Sequence, residues 1–220
     1  MKNTLFICML IVGLVVSWSI VNGQEGFYVI AVKKNNYAPV PKTGQTTSYA
    51  TGDDGQLKKG VTSPNPRFTD NGDGTVKDNL TGLLWLKNAN CTIFNKGDIG
   101  FQNERSWNSA LGAANSLRSG YCGLTDGSSP GDWRLPNIRE LQSLIHYGFE
   151  NPAVPNTAGT GQWTAGDPFV GMQSSAYYWS STTYISQSDG VWMVHTYDGY
   201  VDWRRVKNDD YYVWPVRGGN

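Results

Sequence analysis

Tyr177-Tyr178-Trp179-Ser180-Ser181-Thr182-Thr183, Val191-Trp192-Met193-Val194, Tyr200-Val201-Asp202-Trp203 and Tyr212-Val213-Trp214-Pro215-Val216 are four short runs near the end of the chain, rich in aromatic and β-branched residues. Such residues fit a pleated surface, and the pattern along them has the period of a strand. Tryptophans 179, 192, 203 and 214 fall 13, 11 and 11 residues apart, with turn residues at Ser188-Asp189-Gly190 and Asp198-Gly199. That spacing predicts an antiparallel meander of four strands.

Working towards the N-terminus, residues 148–176 hold Pro152, Pro155, Pro168 and several glycines, the composition of a long structured loop. Before it, Asn137 and Glu140 form a capping-box pattern for a helix whose apolar stripe is Ile138, Leu141, Leu144 and Ile145. An earlier helix starts at Ser106 as N-cap, places Trp107, Ala110, Leu111, Ala114 and Leu117 on one face and stops at Gly120. Leu83-Leu84-Trp85-Leu86 reads as a buried strand. Arg67-Phe68-Thr69 and Thr75-Val76-Lys77-Asp78 flank Asp70-Asn71-Gly72-Asp73-Gly74, a hairpin turn of residues that tolerate positive φ. The resulting order is N-terminal hairpin, two helices, long loop and C-terminal meander, an α+β domain over residues 67–220.

The first 23 residues read as a signal peptide. Lys2 precedes an apolar run from Leu5 to Val16, and Val21 and Gly23 occupy the small-residue positions before a cut that leaves Gln24 first. The alternative is an uncleaved anchor, because the run approaches the ~20 residues that cross a bilayer. After cleavage no stable membrane span is expected. Residues 24–66 contain one plausible strand, Phe27 to Val32, and then a Pro-, Gly-, Thr- and Ser-rich stretch that reads as an extension or linker. Two cysteines remain in the mature chain, Cys91 and Cys122. In an oxidising compartment (secreted, periplasmic or cell-surface) such a pair is most simply a disulfide.

Composition excludes several functions. Equal numbers of basic and acidic residues, 18 of each, remove the electrostatic case for nucleic acid. Only 2 histidines leave little room for His-based catalysis. His195 falls in a strand beside Trp192, where a satisfied structural role is expected, and His146 ends the second helix, where a cation suits the carbonyl end of the dipole. Ser180 and Ser181 lack the spacing of a nucleophile elbow. The chain is expected not to be an enzyme.

Four motifs in order, Arg67-Phe-Thr-Asp-Asn-Gly-Asp-Gly-Thr-Val-Lys-Asp-Asn-Leu-Thr-Gly-Leu-Leu-Trp85, Asp132-Trp-Arg-Leu-Pro136 with Glu140-Leu141, Tyr178-Trp-Ser-Ser-Thr182 and Val213-Trp-Pro-Val-Arg217, resemble the Lcl C-terminal domain family. The resemblance covers about residues 67–217 and implies a C-type-lectin-like fold. It also implies an adhesion or recognition role, for the best-known member through sulfated polysaccharide. No collagen-like repeat precedes the domain, so avidity from trimerisation is not implied. Trp85, Trp133, Trp179 and Trp214 lie in these motifs and are expected in the core.

No cofactor is expected. Asp70, Asp73 and Asp78 form a weak calcium candidate, but the twelve-residue calcium loop with its terminal Glu is absent and Asx hydrogen bonding explains the same residues. The calcium motifs of sugar-binding lectins are missing too: Val154-Pro155-Asn156 lacks the acid, and Val201-Asp202-Trp203 has the wrong order. The candidate binding residues are Tyr197, Tyr200, Arg204, Arg205 and Lys207, around Trp203, since rings stack on sugar faces and Arg forks pair with sulfate or carboxylate. The competing assignment puts Trp203 in the core and the cations along a solvated strand edge. The expected partner is a glycan or other anionic surface polymer. The alternatives are a protein ligand on a display surface and, more remotely, a relative of formylglycine-generating enzymes.

Overall fold

The computed structural model of the chain describes residues 7–11, 14–21, 24–31, 40–97, 103–204 and 207–219, with backbone alone at residues 7–31 and at Arg204. Two units are distinguished, Met1–Pro39 and Val40–Asn220. In the first, β1 (Ile7–Ile11), β2 (Leu14–Val21) and β3 (Gln24–Ala31) form an antiparallel sheet in that order. The sequence-predicted strand at 27–32 falls largely within β3, whose ladder partners lie in the segment read as a signal peptide. No helix among the described residues is long and apolar enough to cross a membrane.

The second unit is α+β, with few helices and two sheets of mostly antiparallel strands. Its elements are α1 (Asp54–Leu57), β4 (Phe68–Asp70), β5 (Thr75–Asp78), β6 (Leu84–Leu86), β7 (Glu104–Arg105), α2 (Trp107–Ser116), α3 (Ile138–Gln142), β8 (Tyr177–Thr183), β9 (Val191–His195), β10 (Val201–Arg204), β11 (Tyr211–Tyr212) and β12 (Val216–Arg217). One sheet has the order β12-β6-β5-β4, the other β10-β9-β8-β11-β7. The expected hairpin is β4–β5, closed as predicted by Asx bonds: Asp70 Oδ1 accepts from Gly72 N at 3.0 Å and Asp73 Oδ1 from Thr75 N at 3.0 Å.

The meander differs from the sequence expectation in its fourth strand. β8, β9 and β10 are antiparallel neighbours, but the run from Tyr212 to Val216 does not follow β10. Tyr211–Tyr212 crosses to the other side of β8, which it pairs in parallel, and Val216–Arg217 pairs with β6 in the other sheet. Pro215 has no N–H to donate to a ladder, so one continuous strand through it is disfavoured. Its carbonyl is used, accepting from Leu86 N at 3.1 Å.

Both helices of the sequence reading are present, with local changes. At α3 the capping box is complete, Asn137 Oδ1 accepting from Glu140 N and Glu140 Oε2 from Asn137 N. Burial opposes the Glu140 charge, yet the hydrogen bonds from Arg134 and from Asn137 N prevail and hold its pKa below the ordinary value. At α2 the Ser106 hydroxyl makes no cap bond and instead donates to Ser109 Oγ, while Trp107 N is satisfied by the Lys207 carbonyl at 2.9 Å. The helix ends at Ser116, earlier than Gly120, as Leu117 turns to extended backbone.

Residues 40–66, read from the sequence as part of a linker, belong to the compact unit. Val61 N donates to Val40 O at 2.8 Å, Tyr147 N to Thr43 O at 2.8 Å, and α1 is capped by Asp53, whose carboxylate accepts from Gln56 N at 2.8 Å. Composition signalled the lack of periodicity but not these backbone bonds. The same docking alters the reading of His146. It lies beyond α3 against Gly44 and stacks on Phe149 with ring centroids 4.1 Å apart. Desolvation lowers its pKa, with the Arg67 charge adding to the effect, so a neutral ring replaces the expected helix-end cation.

The four motif tryptophans, 85, 133, 179 and 214, are fully buried, as expected. Trp214 touches Trp85, Phe169 and Tyr178 at centroid distances of 5.6, 4.7 and 5.3 Å. Beneath the hairpin, buried Arg67 holds Asp78 through two bonds of 2.7 and 2.8 Å and donates a third to Ser143 O at 2.8 Å. Leu80 N and Thr81 Oγ1 satisfy the remaining Asp78 lone pairs. Removing one partner of such a network strands the other charge in the core. In urea unfolding, Asp78→Asn is therefore expected to cost ~3–5 kcal/mol, against ~1 kcal/mol or less for the exposed hairpin change Asn71→Ala.

Cys91 and Cys122 are joined, with Cα atoms 5.5 Å apart. The bridge ties the segment after β6 to the turn after α2, and mass spectrometry without reduction should return the linked peptides. Reduction should lower stability by about 3–4 kcal/mol on the loop-entropy account.

Candidate functional site

Strand geometry decides which side chains meet. Tyr177 and His195 are direct cross-strand partners on β8 and β9, with ring centroids 4.5 Å apart. From His195 the row continues to Tyr197 at 6.1 Å, and from Tyr177 to Tyr211 at 6.0 Å. Tyr211 is backed by buried Trp179, 4.8 Å away and edge-on. Four half-buried rings from β8, β9, β11 and a turn thus form one stripe. Adjacent residues of a strand point to opposite faces, so Tyr178 and Tyr212 contact each other and not this stripe.

The stripe runs into a cleft of about 440 Å³ lined by Glu104, Gln173, Ser174, Ser175, Ala176, Tyr177, Asp210, Tyr211 and Tyr212. Its wall at residues 173–176 is held firmly. Thr196 Oγ1 donates to Gln173 O at 2.6 Å, Thr196 N to Ala176 O at 3.0 Å, and Gln173 N to the buried Tyr178 hydroxyl at 3.0 Å. The opposite wall is the β7–β11 pair, where Tyr212 faces Glu104 in register. Partial burial raises the Tyr212 pKa, reinforced by the neighbouring Glu104 charge and its hydrogen bond to the phenol. Tyr212 stays a neutral phenol, able to serve a ligand as well as Glu104.

The described residues among those singled out by sequence are spread along β10 and its flanks. Tyr200 is 56% exposed at the turn end of β10, in a shallow hollow with Tyr147, Asp198, Gly199 and Val201. Gly199 is required there, having φ +76° and no space for a Cβ beside the Ile145 side chain. Arg204 closes the other end, paired with Val191, about 10 Å of strand from Val201. Lys207 Nζ lies 4.1 Å from the Trp107 ring centroid and donates to Ser188 O at 2.6 Å, tying the β8–β9 loop to α2. Arg205 lies outside the described residues, as does the Arg204 side chain. A strand separates the two ends of this set, and Tyr197 alone of the described candidates joins the stripe.

Trp203 is not a core residue either. It is half-buried and stacks on Tyr184, centroids 4.4 Å apart and 19° from parallel, with Trp192 edge-on to the same tyrosine. The residues missed by the sequence reading are Tyr177, Tyr211, Tyr212, Glu104 and Asp210. The adjacent Asp209-Asp210-Tyr211-Tyr212 was a visible polar-aromatic signal, but its pairing with β8 and β7 is not readable from local pattern.

The calcium candidate is dispersed. Asp70 Oδ2 pairs with Lys87 Nζ at 2.6 Å, Asp73 Oδ1 takes two bonds from Thr75, and Asp78 is enclosed with Arg67. No group of three or more His, Cys, Asp or Glu arranged to hold a metal occurs among the described residues. Since only a ligand bound to the folded state stabilises it, millimolar calcium is expected to leave Tm within about a degree. A rise of many degrees would reassign this loop.

Comparison with known proteins agrees with the motifs. No curated protein and no solved structure matches the chain. The Lcl C-terminal domain family matches over residues 74–217, well over half of the sequence, and the chain belongs to that family.

Proposed function

We propose that this is an exported, non-enzymatic recognition module of the adhesion type its family resembles, with a C-type-lectin-like domain, and that it binds glycan chains along the aromatic stripe and in its cleft. The carrying observation is the continuous row Tyr197–His195–Tyr177–Tyr211 ending at a polar concavity. Rings present flat apolar faces to sugar rings, and hydroxyl, amide and carboxylate groups in the cleft exchange hydrogen bonds with sugar hydroxyls. This placement favours an uncharged or cationic chain over the anionic polymer expected from sequence, because the cleft lining carries Glu104 and Asp210.

The absence of catalysis is supported by where the reactive groups point. Ser180 Oγ donates to Trp192 O and Ser181 Oγ to Pro136 O, and both cysteines of the domain are in the disulfide. His195 Nδ1 faces Asp198 at 3.3 Å in a ring stack. The protein-ligand reading draws on one feature, Ile185, which is 95% exposed in the β8–β9 loop.

A glycan array followed by calorimetry tests the proposal. Tyr177→Ala and Tyr197→Ala should each weaken binding of an array-positive oligosaccharide about tenfold, equivalent to about 1.4 kcal/mol. The near-UV spectrum should be retained apart from the lost ring. Binding that survives both changes would remove the stripe from the site. Capture of a protein partner lost with Ile185→Ser would favour the display reading.

A further inference from the structure

We propose that the cleft selects glycans bearing free amines, such as glucosamine-rich chains, an inference that rests on the glycan reading above. Among the described residues its lining contains Glu104 and Asp210 and no Lys, Arg or His. Three tyrosines, 177, 211 and 212, and the neutral turn Gln173–Ala176 make up the rest of the lining. Tyrosine faces carry the negative part of the ring quadrupole, so rings and carboxylates act in the same direction on a ligand ammonium. A sulfate or uronate would meet both as repulsion.

Among the described residues, the nearby cations Arg105 and Lys207 are engaged elsewhere. Arg105, next to Glu104, carries its guanidinium to Thr92 O at 3.0 Å and to the Phe94 ring at 5.0 Å. Lys207 is spent on Trp107 and Ser188. Glu104 stands opposite Tyr212 in the β7–β11 register, and the pinned turn at 173–176 keeps the opposite wall in place. An amine entering between them meets a preorganised acceptor set. The extended stripe leading into the cleft favours a chain of sugar rings over a lone lysine side chain.

The test compares a β-1,4-linked glucosamine hexamer with its fully N-acetylated counterpart by calorimetry on the intact mature protein, at a pH where the amines are protonated. The amino hexamer is expected to bind about tenfold more tightly at low salt, a preference that shrinks as salt rises. The double variant Glu104→Gln/Asp210→Asn should abolish that preference while its thermal unfolding stays cooperative. Equal affinity for the two hexamers, or binding of neither while an array-positive oligosaccharide still binds, would overturn the amine selectivity and leave the glycan reading standing; no binding to the hexamers or to the array would overturn both. A preference that persists in the double variant would place the amine contacts elsewhere and overturn the assignment to this cleft. A lysine pentamer that binds as tightly as the amino hexamer would overturn the choice of sugar over peptide.

Discussion

Trp214 is the residue on which the two sheets of the domain depend. It sits between β11 and β12, where the chain leaves the five-stranded sheet and enters the four-stranded one. Its ring meets Trp85 from β6, Tyr178 from β8 and Phe169 from the long loop, and its indole N–H donates to Leu86 O at 2.9 Å. One side chain therefore contacts both sheets and the connection between them. Aromatic pairs with edge or tilted geometry add to the large apolar area such rings bury. With β11 and β12 only two residues each, backbone ladders alone hold this crossing weakly, and the indole supplies what they lack.

That packing also sets the aromatic stripe. Tyr178 packs against Trp214 on one side of β8, so Tyr177 lies on the other side, next to buried Trp179, where it meets His195 and Tyr211. The crossing of β11 beside β8 also carries Asp210, Tyr211 and Tyr212 to the edge strand β7 and its Glu104. Core and cleft are two faces of one arrangement. The wall at residues 173–176 is likewise tied inward through Thr196 and Tyr178, giving the concavity a rigid base.

Charge is organised by pairing more than by patches. Arg67 is buried with Asp78, Arg134 grips Glu140, Arg217 reaches Asp126 and Lys87 reaches Asp70. A net charge of zero thus conceals described cations used one by one inside the fold. Among the described residues, the cleft carboxylates Glu104 and Asp210 take part in none of these pairs.

Local pattern carried much of this protein. Asx-rich turn residues between two short runs defined the β4–β5 hairpin, the Asn137–Glu140 spacing defined the start of α3, and two lone cysteines indicated their own bridge. These features depend on neighbours within a few residues or on elimination among very few candidates, so the amino-acid order determined them. The Lcl family motifs were legible for a similar reason, since their buried tryptophans and turn glycines have few substitutes. Only the tertiary structure decided where β11 goes, that residues 40–66 dock on the domain, that Tyr177, Tyr197 and Tyr211 form one stripe, and that Glu104 meets Tyr177 and Tyr211 at a cleft. Each of those outcomes rests on contacts between residues distant in sequence. Strand periodicity specifies a face and not the strand that will lie beside it.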